Sequence, residues 1–354
     1  MVRDRKMTLG CVVSLLACMT TACSEDEGSG AGGTGGAGGS GGAGVGGAGG
    51  TGTGGSSTGG GAGDAGTGGT GAAGATGGAA GVSGSAGDGG DAGEAGAAGA
   101  DPGRPQLGDT DAEGRTLVWA EEFDGPEIDR TLWGNEVGMI RNQEEQYYTT
   151  DPKNQFVENG DLVIRGIRES FEGAEYTSAS LTTEGFHDFL YGKLEGRIKV
   201  PGGQGCWPAF WMLPAHKDKY DGYPPYGSWW PAGGEIDIME FVSQDPSTVY
   251  GTAHYLQNGG HASSGSNTVL SQPVSQDYHV FAIEWSPTQI AWFVDDVPFH
   301  TFESAGPFDG LTPFNDSMYL ILNLAIGGTW PEDPDPGVYP QEMRVDWVRH
   351  WTGP

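Results

Sequence analysis

Cysteine, positive charge and long hydrophobic runs are all scarce in this 354-residue chain. Each shortage excludes something. Three of the four cysteines (Cys11, Cys18 and Cys23) fall within the first 23 residues, which leaves Cys206 alone in the remainder, so no disulfide can form there. Lying between Gly205 and Trp207, Cys206 reads as a small packed residue. Lys and Arg number 17 against 47 Asp and Glu, a surface to which nucleic acid is a poor partner and a neutral polymer an acceptable one. The N-terminal stretch MTLGCVVSLLACM is apolar but too short to span a bilayer comfortably.

What is present changes abruptly along the chain. Up to about residue 105, Gly, Ala, Ser and Thr dominate, in variants of GGTGGAGG and GGAG that follow no strict triplet. Such a composition cannot build a core, and without the triplet it is not collagen, so residues 24–105 are expected to form a disordered, flexible tether. Arg3, Arg5 and Lys6, then the apolar stretch, then small residues and cysteine, read as an export signal over residues 1–23. Cys23 in MTTAC is the expected site of lipidation in the manner of a bacterial lipoprotein, because the polar SEDEGSG follows it. Thr20 departs from the aliphatic residue normal three places before such a cysteine, whereas Leu15 satisfies that rule for Cys18. A plain cleaved signal is the alternative. Either way the chain is expected outside the cytoplasm, secreted or as an outer-surface lipoprotein.

Residues 106–354 are of another kind, rich in Trp, Tyr, Phe and alternating aliphatics, and long enough for one large domain. Taking the four cations and nine acids up to residue 105 from the totals leaves 13 against 38, a net charge of −25. The runs LVWAEEF, DLVIRGIR, YGKLEGRIKV, AFWML, EIDIMEFV, TVYGTAHY, HVFAIEWS, IAWFVDD, MYLILNLAIG and MRVDWVRHW read as strands, most of them alternating with period two and separated by turn residues. No long stretch has helical period. The class is therefore all-β, a sandwich of two antiparallel sheets.

Within that sandwich GGEIDIMEF is anomalous, since Glu235, Asp237 and Glu240 interrupt an apolar strand. In an ideal strand Glu235 and Asp237 share a face while Glu240 points to the other. A β-bulge of one residue near Ile238 or Met239 restores the phase, sends Ile236 and one of those two inward, and sets three acids on the floor of a cleft. Three carboxylates on one face repel, so at least one holds a proton near neutral pH. Two glutamates, one ionised and one protonated, about 5 to 5.5 Å apart are what a retaining glycosidase requires, with Asp237 placed to steady the nucleophile. On spacing alone a calcium site or a solvated acidic edge remains open. Trp207 and Trp211 in CWPAFWMLP, Trp229 and Trp230 in GSWWPAGGE, and Trp330 supply flat rings suited to stacking on pyranoses. Adjacent Trp229 and Trp230 would point to opposite faces if extended.

EEQYYT, NGDLVIRG, YTSASLTTEGF, YGKLEGRIKVPGGQGCWPAFWMLP, GGEIDIMEF, YGTAHY, YHVFAIEW and NLAIGGTWPEDPD, in this order, resemble glycoside hydrolase family 16 and within it the laminarinase-like endo-β-1,3-glucanases. The resemblance runs from about Leu117 to Trp351. It implies a β-jelly roll with a concave glycan-binding cleft, Glu235 as nucleophile, Asp237 as supporting acid and Glu240 as general acid/base. His254, Asn142 and Arg197 match positions near the catalytic centre or meeting sugar hydroxyls, while Gln143 stands where the family commonly has Asn. The resemblance also implies no cofactor for catalysis and a structural calcium held by Glu122, the Gly160 carbonyl and Asp346, far from the cleft. The expected partner is a β-glucan, the expected state a monomer. Mixed-linkage glucan, galactans such as agarose or carrageenan, transglycosylation, and glucan binding without chemistry are the alternatives.

Overall fold

Period-two alternation dictates strands wherever one side chain in two can be buried, and all ten of the runs named above fold as strands in the computed structural model, which describes residues 103–222, 227–306 and 313–353. The expected signal over residues 1–23, Cys23, and nearly all of the expected tether lie outside the described residues. Arg104, placed at the very end of that tether, is part of the folded unit, since its guanidinium lies 3.1 Å from Glu122 and also pairs with Asp124.

The strands form two sheets that make a β-jelly-roll sandwich. One, here the cleft sheet, runs across the molecule in the order Gly260–Val269, Thr248–Gln257, Glu235–Glu240, Cys206–Pro214, Met318–Ile326, Ser180–Thr182 and Gly134–Glu136. The other, the back sheet, is built on Gly192–Lys199 between His279–Ser286 and Gln341–Thr352. Pairing is antiparallel apart from Gln146–Tyr148, which runs parallel to Ala174–Ser178. Two 3-10 turns, Lys217–Lys219 and Val274–Gln276, are the helical elements among the described residues.

Three long strands of the cleft sheet divide their side chains cleanly. Phe210 and Met212, Leu320, Leu322 and Leu324, and Val249 and Ala253 pack inward into the main core with Phe281, Ile283, Trp292, Val345 and Val348 of the back sheet. Their odd or even neighbours, Trp207, Ala209, Trp211 and Leu213, then Tyr319, Asn323 and Ala325, then Tyr250, Thr252 and His254, line a cleft on the outer face. Cys206–Pro214 and Met318–Ile326 are buried at all nine positions each, on one side by core and on the other by the cleft walls, which is why they read as continuous apolar runs.

Candidate active site

The acid strand Glu235–Glu240 sits between Cys206–Pro214 and Thr248–Gln257, and its pairing shows the extra residue that the acid spacing requires. Asp237 pairs with Trp211, but Met239 already pairs with Phe210, so Ile238 and Met239 together oppose a single step of the neighbour. The same slip appears on the other side, between Asp237 opposite Thr252 and Glu240 opposite Tyr250. Ile236, Ile238 and Met239 all enter the core, two residues of the bulge rather than the one expected. A bulge frees backbone groups from the ladder. Here the Asp237 carbonyl accepts the indole N–H of Trp292, a fully buried residue of the back sheet, at 2.8 Å. Gly251 makes room for that indole, because a Cβ there would stand 2.5 Å from Trp292 Cδ1.

With the phase corrected, Glu235, Asp237 and Glu240 all line the cleft. Each glutamate receives an indole N–H at 3.0 Å, Glu235 Oε2 from Trp230 and Glu240 Oε1 from Trp207. Asp237 lies deeper, only 3% exposed, and no hydrogen bond reaches its Oδ2. His254 Nε2 stands 3.1 Å from that oxygen and 3.9 Å from Glu235 Oε1, close enough for attraction without hydrogen-bond alignment. Burial first, then repulsion from Asp237, pushes Glu235 up to about 7, while His254 and the Trp230 N–H pull the other way. Burial raises Asp237 to about 8. Glu240 is held well above the usual carboxylate range by burial and then by Asp237. Side-chain oxygen and nitrogen atoms of Glu235, Asp237 and His254 fall within 4.8 Å of one another, close enough for their charges to interact strongly. The indole N–H aimed at Glu235 is itself a donor, which favours proton handling over cation binding here.

The cleft above these groups has a volume of about 1180 Å³. Trp207, Trp211, Trp229, Trp230, Trp330, His254 and Asn142 all line it. At one side Trp330 meets Trp207 edge-on with ring centroids 5.5 Å apart and meets Tyr250 at 4.9 Å. Trp229 and Trp230 lie in a turn rather than a strand, so the expected opposition of their faces does not apply and both reach the cleft. An aromatic-walled groove floored by acids fits a glycan chain, whose apolar ring faces stack on flat side chains.

The family model for glycosyl hydrolases family 16 matches residues 131–349. The chain belongs to that family. Among its relatives, a β-glucanase from Rhodothermus marinus is 42% identical over 252 residues, covering 66% of this chain and 84% of the relative. The X-ray structure of the laminarinase from Rhodothermus marinus superposes with a TM-score of 0.60 at 38% identity, covering 68% of this chain and 98% of that one. The laminarinase catalytic domain from Thermotoga maritima gives 0.59 at 39% identity, with 68% and 99% covered.

Two expectations taken from the family 16 resemblance meet a different geometry. Arg197 is not in the cleft. It belongs to Gly192–Lys199 of the back sheet, where its guanidinium pairs with Asp346 at 2.6 Å and lies over the Tyr278 ring. The alternation that suggested a strand could not say to which sheet it belonged. Of the three residues expected to hold calcium, both carboxylates are paired with arginine as they stand. Glu122 is gripped by Arg349 at 2.8 and 3.0 Å and by Arg104, and Asp346 by Arg197, so guanidinium groups already neutralise both carboxylates. Gly160, the third, is the second residue of a tight turn with Asn159, both at positive φ.

Several cleft residues gave little signal in sequence. Arg141 forms a two-point pair with Glu136 and lies 4.7 Å from the centroid of the Trp211 ring, brought there by a loop whose course no periodicity reveals. Asn323, not among the residues expected at the site, does carry a signal in sequence, being the one amide in MYLILNLAI. It accepts the Trp211 indole N–H at 2.7 Å and donates to Tyr148, whose hydroxyl donates in turn to buried Glu144. That chain of bonds fixes the tryptophan on the floor.

Proposed function

We propose that this family 16 protein is an endo-acting β-1,3-glucanase that cleaves laminarin-like glucan by double displacement with retention of configuration. The observation that carries the reading is the bulged strand, which sets Glu235, Asp237 and Glu240 on one face at the floor of an aromatic cleft and aims an indole N–H at each glutamate. Glu240, the carboxyl held well above the usual range, protonates the leaving glycosidic oxygen. Glu235, nearest the donors His254 and Trp230, is the easier of the two glutamates to ionise, and its carboxylate attacks the anomeric carbon. Glu240, now ionised, takes a proton from water, and that water hydrolyses the glycosyl-enzyme. Asp237, buried beside them, adds to burial in holding the proton on Glu240.

The glucanase relatives support β-1,3-glucan as the substrate. Charge argues against sulfated galactans, because the cations lining the described part of the cleft are already countered: Arg141 by Glu136, and Lys217 by Glu184 at 2.7 Å. We further place the protein outside the cytoplasm as a monomer, tethered through Cys23 and the Gly-rich segment. The mass of the N-terminal peptide from native membranes tests that anchor.

The deciding experiment is reducing-sugar release from laminarin, mixed-linkage glucan, agarose and carrageenan by the purified protein and by Glu235→Gln and Glu240→Gln. Release from laminarin that both substitutions abolish is the expected result, and NMR of the first product should show the β-anomer. Binding of laminarin with no cleavage of any polymer would overturn the enzyme reading, and an initial α-anomer would overturn retention.

A further inference from the structure

His261 stands outside every role assigned so far. It lies on Gly260–Val269, the polar edge strand of the cleft sheet, diagonal to His254 on the neighbouring strand. Its Nε2 is 2.9 Å from His254 Nδ1, and the two imidazoles are nearly coplanar, 20° between planes with centroids 5.2 Å apart, as an in-plane hydrogen bond requires. The other face of the contact is Trp230, whose ring centroid lies 4.9 Å from that of His261 at 35°. Trp230 is the residue that donates to Glu235, and His254 is the residue that approaches Asp237 and Glu235. His261 therefore touches both of the side chains that support the proposed nucleophile.

With both rings neutral, one proton lies between His261 Nε2 and His254 Nδ1, and its position sets the tautomer of His254. If His254 carried it on Nδ1, the neutral ring would turn a lone pair on Nε2 toward two carboxylates. If His261 donates it, His254 Nε2 bears the N–H and faces the acids with positive character. Burial, and then His254, lower His261 to about 4, so it remains neutral over the pH range in which a carboxylate pair of this kind works.

We propose that His261 is a positioning residue for the glycosidase reaction, donating its Nε2–H to His254 Nδ1 so that His254 presents Nε2–H to Asp237 and Glu235, while its ring braces Trp230 against Glu235. This rests on the glucanase reading for its kinetic consequence but not for the tautomer. The step is an orientation of existing groups and makes or breaks no bond in the substrate.

The test uses the full chain with His261→Phe, which keeps a ring against Trp230 and loses the donor, and His261→Gln, whose amide N–H reaches about where Nε2 stood. On laminarin, His261→Phe should lower kcat roughly tenfold with KM within about twofold, the scale of one lost hydrogen bond felt in the transition state, and His261→Gln should recover most of it. The ¹⁵N shifts of the imidazole nitrogens, with the His254 signals identified by their loss in His254→Gln, should report Nε2–H in wild type and in His261→Gln, and a mixture of tautomers in His261→Phe. Wild-type His254 protonated on Nδ1 would overturn the inference whatever the turnover. So would a His261→Phe enzyme with unchanged kcat, or equal losses in both variants, which would mark a merely structural residue. Should wild type cut no polymer, the glucanase reading fails, and the ¹⁵N spectra still decide the tautomer.

Discussion

Replacing Glu235 by Gln should destroy activity and yet stabilise the fold in alkaline solution. Burial and the neighbouring Asp237 raise this carboxyl from 4.5 to about 7. Between those values the folded protein keeps a proton that the unfolded chain releases, so the folded state binds more protons and stability falls as pH rises through that window. Above it, the ionised Glu235 costs the folded state about 3 kcal/mol relative to a neutral group of the same shape. Gln retains an oxygen to accept the Trp230 N–H, so little packing is lost, and Asp237 is relieved of a like charge. For a domain of this size about 3 kcal/mol corresponds to a melting shift of roughly 6–12 °C. Thermal unfolding of wild type and Glu235→Gln at pH 4 and pH 8 is the assay. The difference between the two proteins should be small at pH 4, where both carry a neutral group, and should reach its full size by pH 8, while losses common to both cancel. A variant no more stabilised at pH 8 than at pH 4 would refute the view that this acid is buried at an electrostatic cost.

Other expectations follow from single contacts. Trp207→Phe removes the indole donor that favours ionised Glu240, so its carboxyl should hold its proton to higher pH and the alkaline limb of the kcat/KM profile should move upward, a shift that pH-rate measurements would show. Trp292→Phe leaves the Asp237 carbonyl buried without its donor and should cost about 3 kcal/mol by urea unfolding, with a loss of kcat as the bulge relaxes. Because arginines already neutralise Glu122 and Asp346, chelator or added calcium should leave the melting temperature within about 1 °C, whereas Arg349→Ala should lower it by several degrees.

Most of the sandwich was legible in sequence because its central strands bury at least one side chain in two. The strands left unread show where that signal ends. Gly260–Val269 lies at the sheet edge with mostly half-exposed or exposed small polar side chains, so GHASSGSNTV presents no apolar period, yet it brings His261 and Ser263 to the site. Likewise Gly134–Glu136, Gln146–Tyr148 and Ser180–Thr182 are three residues each, too short for any period to register. The acids themselves were readable because polar residues in a buried strand require a reason, and the odd spacing of Glu240 specified the bulge. Arg141 and Arg197 failed in opposite directions. Arg141 reaches the cleft by a loop, and Arg197 sits in a well-read strand of the wrong sheet, and in neither case does local sequence encode the partner across the fold.

The bulge also has a genetic meaning. Without one of Ile238 and Met239, Glu235, Asp237 and the second glutamate would fall two residues apart throughout, and plain alternation would set all three on the same face with no irregularity. Two chain lengths therefore satisfy the same facing requirement, and no series of point substitutions connects them. Only the loss or gain of a whole codon does, in a single step that keeps every acid exposed to the cleft while shifting Glu240 along the strand by one residue. Diversification of such a site would proceed by indels at this one position, and libraries that vary residue identity alone would never sample the alternative.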